Sequence, residues 1–407
     1  MRLLGSILGF LGAVLTAESA QWTTNTSLPA RYSEHCMVYS SGFLYHTGGF
    51  TYTGGSDDGT NVFYAQVHSN GTIGTWSATA PLPEPVYDHT MIASKGFLYV
   101  LGGNHSTLAT GDQVSDVVYY SKLNPDGSVG VWQTANPLPY RVAFSGAAVW
   151  NNRIYVTAGY SQFGVTNAVY SAEIQADGSL GAWVPQIPLP APAFTHASVA
   201  NGVLYVIGGF NDGGAALVKK VYYSKINVGG TLAGWNQTTL LPQEVGEVEA
   251  VAANGRIFII GGSNGQAPLH NVYSAAVNGD GSLGLWSVET QLPTPLYFHA
   301  SAVSDSHIFV SGGSNPDLIQ NAVYSMPLPP PPASPALTPQ GIGTNGNFQL
   351  QLASDTNTGF GLLASTNLTN WTRLGWGFTG TNGLLSFQDT NAASFPRRYY
   401  RATWPLP

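Results

Sequence analysis

Val203 to Trp235 reads "VLYVIGGFNDGG" (203–214), then "KKVYYSKIN" (219–227), then "VGGTLAGW" (228–235). An apolar run ends in a glycine pair, a second run centres on tyrosine, and a third reaches a tryptophan after a Gly-rich turn. Runs of this length with β-branched and aromatic residues, bounded by glycine, read as strands. The same sentence recurs along most of the chain. Tryptophans mark it at Trp22, Trp76, Trp132, Trp183, Trp235 and Trp286, and Leu-Pro steps at Leu28, Leu82, Leu138, Leu189, Leu241 and Leu292. The glycine pairs are Gly48-Gly49, Gly102-Gly103, Gly208-Gly209, Gly261-Gly262 and Gly312-Gly313, with Ala158-Gly159 in the third unit. A period of about 50 residues is that of propeller blades.

Each unit reads as four strands. One follows the Leu-Pro step, the second precedes the glycines, the third carries the Tyr and the fourth the Trp. "NPDGSVG", "QADGSLG" and "NGDGSLG" join the third to the fourth, and Asp-Gly between apolar runs is a hairpin signal. The last unit stops after its third strand, whereas the chain starts with an orphan Trp22 strand. That phase predicts an all-β, six-bladed propeller over 21–326 in which the N-terminal strand completes the sixth sheet and leaves no open edge.

Three flanking segments complete the expected organisation. Residues 1–20, "MRLLGSILGFLGAVLTAESA", read as a signal peptide: an early Arg2, a short apolar core, then small residues. Residues 327–339 form a Pro-rich linker. Residues 340–407 alternate enough to suggest a small β-sandwich.

Composition excludes several classes. Charged residues make up 9% of 407, against roughly 25% in average soluble proteins, and the net charge is −7. No basic footprint for nucleic acid exists. Cys36 is the sole cysteine, so no intrachain disulfide forms. No run after the leader is long and apolar enough to span a bilayer. A secreted, periplasmic or cell-surface protein, monomeric, is the expectation.

The landmarks "G-x-L-Y-V-x-G-G … V-Y-Y-S … D-G-S-x-G-x-W … L-P" resemble the kelch repeat, and in their turn the bacterial exported subclass of it. The tail, with "LLASTNLTNWTRL", resembles a C-terminal β module of exported bacterial proteins. The kelch resemblance implies one of several functions: protein-binding adaptor, sialic-acid mutarotase or galactose-oxidase-like copper enzyme. A fold with that many uses does not choose among them.

Topology does choose a face. Loops from strand two to three, and from strand four to the next strand one, share one mouth; the Asp-Gly-Ser hairpins (Asp126, Asp177, Asp280) lie opposite and read as turns rather than calcium sites, since calcium wants six or more oxygens. At the mouth, seven residues after each Leu of Leu-Pro, stand His35, His89, Ser145, His196, Val248 and His299. Four histidines at one repeat position form either a packing feature or a ring around the axis. Arg31 and Arg141 precede them, and two guanidinium forks could hold a carboxylate. Glu34, Asp88 and Glu247 lie beside them as candidate proton-transfer groups. Asn104, His105, Asn211 and Asp212 follow glycine pairs on the same face. Aromatics that break the repeat (Tyr52, Tyr87, Phe144, Tyr160, Phe163, Phe210, Tyr297, Phe298) are candidates for sugar or peptide contact. The copper reading would need ligand positions that have no match here beyond Cys36, so no metal and no cofactor is expected. The leading expectation is a recognition protein binding a glycan or protein ligand at the mouth; the alternative is a sugar mutarotase or epimerase with Arg31 and Arg141 as the carboxylate clamp.

Overall fold

The computed structural model describes residues 20–51, 59–107, 111–191, 194–200, 202–211, 216–329, 336–343, 347–354, 359–380 and 382–403. Residues 1–19, Tyr52, Asp212 and residues 330–335 of the Pro-rich segment lie outside the described residues, and so do the side chains of 194–200, His196 included.

Six four-stranded antiparallel sheets carry the repeat. Their innermost strands, in chain order, are Cys36–Ser40, Thr90–Ser94, Gly146–Trp150, Phe194–Ala200, Glu249–Ala253 and Ala300–Val303. Each touches the next, and Ala300–Val303 returns to Cys36–Ser40, so the sheets stand in a closed ring around one axis. We number them one to six. Apolar side chains fill the seams between neighbouring sheets. Tyr45, Tyr99, Tyr155, Tyr205, Phe258 and Phe309, one per second strand, are all fully buried there. Burying an aromatic ring of this size contributes about 2–3 kcal/mol, so the seams hold the ring together without disulfides.

The ring closes at sheet six as the repeat phase requires. Thr23–Thr24 pairs with the third strand Val323–Pro327, Thr23 opposite Ser325 and Thr24 opposite Tyr324. The six tryptophans share one device. Trp76, Trp132, Trp183, Trp235 and Trp286 donate Nε1–H to the carbonyls of Thr26, Ala80, Asn136, Ile187 and Thr239, on the sheet before. Trp22 does the same to Thr290 of sheet five, at 2.9 Å. The N-terminal strand therefore behaves as the fourth strand of an ordinary sheet.

The Asp-Gly-Ser hairpins are self-contained turns. Asp126, Asp177 and Asp280 each accept the backbone N–H and the hydroxyl of the serine two residues on. Those hydrogen bonds hold the exposed Asp126 and Asp177 carboxyls below their ordinary value.

Beyond the ring, Ala336–Ile342, Phe348–Ala353 and Leu384–Asp389 form one three-stranded sheet, and Gly359–Ser365, Thr372–Phe378 and Tyr399–Thr403 another. Leu350, Leu352, Phe360, Leu362 and Phe387 make the core of this part. Ala336 to Pro339, expected in the linker, already pair with Phe348–Ala353; this strand sits at the sheet's edge, where a proline costs no ladder bond.

Candidate functional site

The second residue before each innermost strand decides what faces the axis. Glu34, Asp88, Phe144, Glu247 and Phe298 occupy this position in sheets one, two, three, five and six. All have left-handed backbones, with φ of 58, 52, 52, 53 and 51°. Non-glycine residues pay about 1–2 kcal/mol for that conformation, so five in phase require support. Backbone hydrogen bonds supply it along four of them. Glu34 N–H donates to Phe298 O (3.0 Å), Asp88 N–H to Glu34 O (3.0 Å) and Phe144 N–H to Asp88 O (2.9 Å). Sheets six, one, two and three are thus joined by hydrogen bonds passed around the mouth, and the side chains at this position line the axial cavity.

These five side chains rim a cavity of about 190 Å³. Sheets three and six stand opposite each other, and their Phe144 and Phe298 rings meet across the axis with centroids 6.3 Å apart. Asp88 and Glu247 also belong to opposite sheets. Glu249, the first residue of its strand, lines the wall below. Among the described lining residues there are four carboxylates and no Lys or Arg. Burial, and then the negative charge of Glu34, push the Glu247 carboxyl up to about 7. Burial pushes Glu249 up to about 8, although a hydrogen bond from the Ser301 backbone opposes it. Both are raised chiefly because water cannot solvate their charge.

Three expected site histidines have a different role. His35, His89 and His299 are 4, 6 and 2% exposed. His35 Nε2 bonds Ser311 Oγ at 2.9 Å, and His89 Nε2 bonds Thr47 Oγ1 at 2.8 Å. A Cβ on Gly312 would stand 2.6 Å from His35 Cε1, one on Gly48 2.9 Å from His89 Cε1, and one on Gly261 2.7 Å from His299 Cε1. The rings fill the space that the first glycine of the preceding sheet leaves. Burial holds His35 well below its ordinary pKa and His89 at about 3, so both are neutral. Of the two readings of this repeat position, the geometry fits packing: the edges of the three rings border the cavity and the rings themselves fill the seams.

Arg31 and Arg141 are exposed, and neither lines the cavity. The carboxylate clamp is not assembled. His105 turns away to Glu84, with Nδ1 2.9 Å from Oε2. Asn211 bonds its own loop through Ala216. Asn104 does reach the rim, donating Nδ2–H to Asp88 Oδ2 at 3.0 Å. Cys36 donates Sγ–H to His89 O, and burial first, then Glu249, pushes its thiol up; it is an inert neutral thiol. No group of three or more His, Cys, Asp or Glu among the described residues could hold a metal ion.

Glu249 escaped sequence reasoning. Its signal was a break in the repeat, because the same register holds Cys36, Thr90, Gly146 and Ala300 in other sheets. A carboxylate at a position otherwise small or weakly polar marks a departure that packing does not explain.

No family model matches the chain. Kelch-like protein 36 of Bos taurus is 24% identical over 290 residues, covering 69% of this chain and 43% of that protein. Kelch repeat and BTB domain-containing protein 12 of Danio rerio is 33% identical over 147 residues, covering 33% of this chain and 23% of that protein. Beta-scruin of Limulus polyphemus is 26% identical over 204 residues, covering 49% and 21%. The chain therefore spans less than half the length of these curated relatives. A solved structure titled "Structure of YjhT" superposes with a TM-score of 0.59 at 16% identity, over 74% of this chain and 96% of that one. Repeat, ring topology and these likenesses agree: the chain is a kelch-type β-propeller.

Proposed function

We propose that this propeller is a recognition protein whose axial cavity binds one sugar unit of a glycan. The observation that carries the reading is the convergence of four carboxylates and two neighbouring phenyl rings on one cavity. Carboxylates accept hydrogen bonds from hydroxyl groups, and ring faces pack against the C–H surface of a sugar. A volume near 190 Å³ suits a single small unit better than a protein loop. The exposed position of Arg31 and Arg141 argues against a carboxylate-bearing sugar. Export through the 1–20 leader, and a monomeric state, complete the proposal.

Isothermal titration of the mature protein with neutral monosaccharides tests it. Asp88→Asn removes a charged acceptor while leaving an amide oxygen for Asn104, and should weaken binding about tenfold or more. Unchanged affinity in Asp88→Asn with an intact melting transition would sink the assignment.

One feature favours a second reading, a mutarotase of neutral sugars. Glu249 and Glu247 are poised to be protonated near neutral pH, beside the negative Glu34. One acid and one base at the same sugar could open and close its ring. Catalysed anomer exchange abolished by Glu249→Gln would favour this reading; exchange at the uncatalysed rate would remove it.

A further inference from the structure

We propose that the sugar unit carries a protonated amine: the cavity is an amino-sugar site, with the ammonium held among Glu34, Asp88 and Glu247 beside the Phe144–Phe298 pair. The inference rests on the reading of the cavity as a sugar site and adds the charge of the ligand.

A neutral sugar would leave the crowd of carboxylates uncompensated. Glu247 already registers that crowding, since the charge of Glu34 adds to burial in raising it. A monocation placed between them converts repulsion into attraction, in a space where water screens little. Two observations outside the carboxylates point to the same ligand. The Phe144 and Phe298 rings, 6.3 Å apart and tilted by 38°, come from opposite sheets and both line the cavity, and a cation is attracted to the face of an aromatic ring. Below them Ser301, 7% exposed, lines the cavity beside Glu249, and its Oγ meets no hydrogen-bond partner among the described residues. An ionic head and a hydroxyl-bearing frame would engage both levels.

Proton release follows from binding. Near pH 6.5 Glu247 is largely protonated; an adjacent ammonium favours its carboxylate, so the proton leaves for the solvent. The other ionisable groups around it are Glu34 and Asp88 on the rim, Glu249 and the neutral Cys36 on the wall, and His35, His89 and His299 in the seams. Sheet three contributes Phe144 and Ser145 here, which do not titrate in this range.

The experiment titrates the mature protein with glucosamine, glucose and N-acetylglucosamine at pH 6.5, in two buffers of different ionisation enthalpy. Glucosamine should bind about tenfold tighter than glucose or more, release a fraction of a proton, and keep most of the advantage at high salt, because a buried pair is screened little. N-acetylation should erase the preference. Glu247→Gln should abolish proton release and shrink the ratio, and Asp88→Asn, as a second variant, should shrink it too. Equal binding of glucosamine and glucose overturns the amine inference and leaves the sugar site standing. Binding of none of the three overturns both.

Discussion

At the residue scale the molecule depends on what stands at two adjacent repeat positions. One holds the left-handed rim residue, the next the seam residue. The seam residues His35, His89 and His299 are legible as a repeat feature, but not their direction: an imidazole before an apolar strand reads equally as ligand or as packing. The glycine opposite settles it. Gly312→Ala would drive a Cβ to 2.6 Å from His35 and 2.5 Å from Tyr32 O, at a φ of 57° that alanine also resists. We expect a loss of more than about 2 kcal/mol, read as a lower melting temperature, whereas an unchanged melt would show that the seam has slack. The rim carboxylates were legible because charge is rare in this chain, and Phe144 and Phe298 because they break the repeat. The arginines misled because two residues near a mouth in sequence need not point into it. Glu249 carries a pH consequence. Its folded pKa of about 8 exceeds an unfolded value near 4.3, so folding binds a proton more tightly than the unfolded chain does. Stability is then full below about pH 4 and is lost progressively as pH rises through 8. Each tenfold difference in proton affinity is worth about 1.4 kcal/mol. Glu249→Gln should flatten the fall in melting temperature between pH 5 and 8; a slope equal to wild type would exclude Glu249 as its source.

At the element scale the telling piece is the short strand Thr23–Thr24. Two residues of pairing hold little by themselves, and the strand is secured instead by Trp22 to Thr290 O, Asn25 N–H to Val323 O, and Asn25 Nδ2–H to Ser325 Oγ. Deleting residues 21–28 removes all of these and the buried Leu28, and exposes the edge of Val323–Pro327. The melting temperature should fall by many degrees, and the open edge should promote association, visible by light scattering. A melt within a degree or two of the intact chain would show that the ring does not depend on this strand. This element was readable in the sequence because the phase of the Trp and Tyr landmarks left one strand missing at the end and one spare at the start. The Pro-rich segment was harder, because proline in an edge strand looks the same as proline in a linker.

At the scale of the whole molecule, six similar sheets could have made a symmetric ring with a featureless channel. Symmetry is instead broken around the mouth: acids from sheets one, two and five, phenyl rings from sheets three and six. The repeat explains the fold, and departures from it explain the site. That division also sets the limit of sequence reading, since the repeat is visible as periodicity while the convergence of Glu34, Asp88, Glu247 and Glu249 exists only once the ring has closed. The most direct test is saturation-transfer NMR of the protein against neutral, amino and acidic monosaccharides, run beside a Phe144→Ala variant. The account predicts transfer to neutral and amino sugars, weakened in the variant, and none to sugars bearing a carboxylate. Selective transfer to an acidic sugar would contradict it, because no carboxylate belongs in a cavity already lined by four.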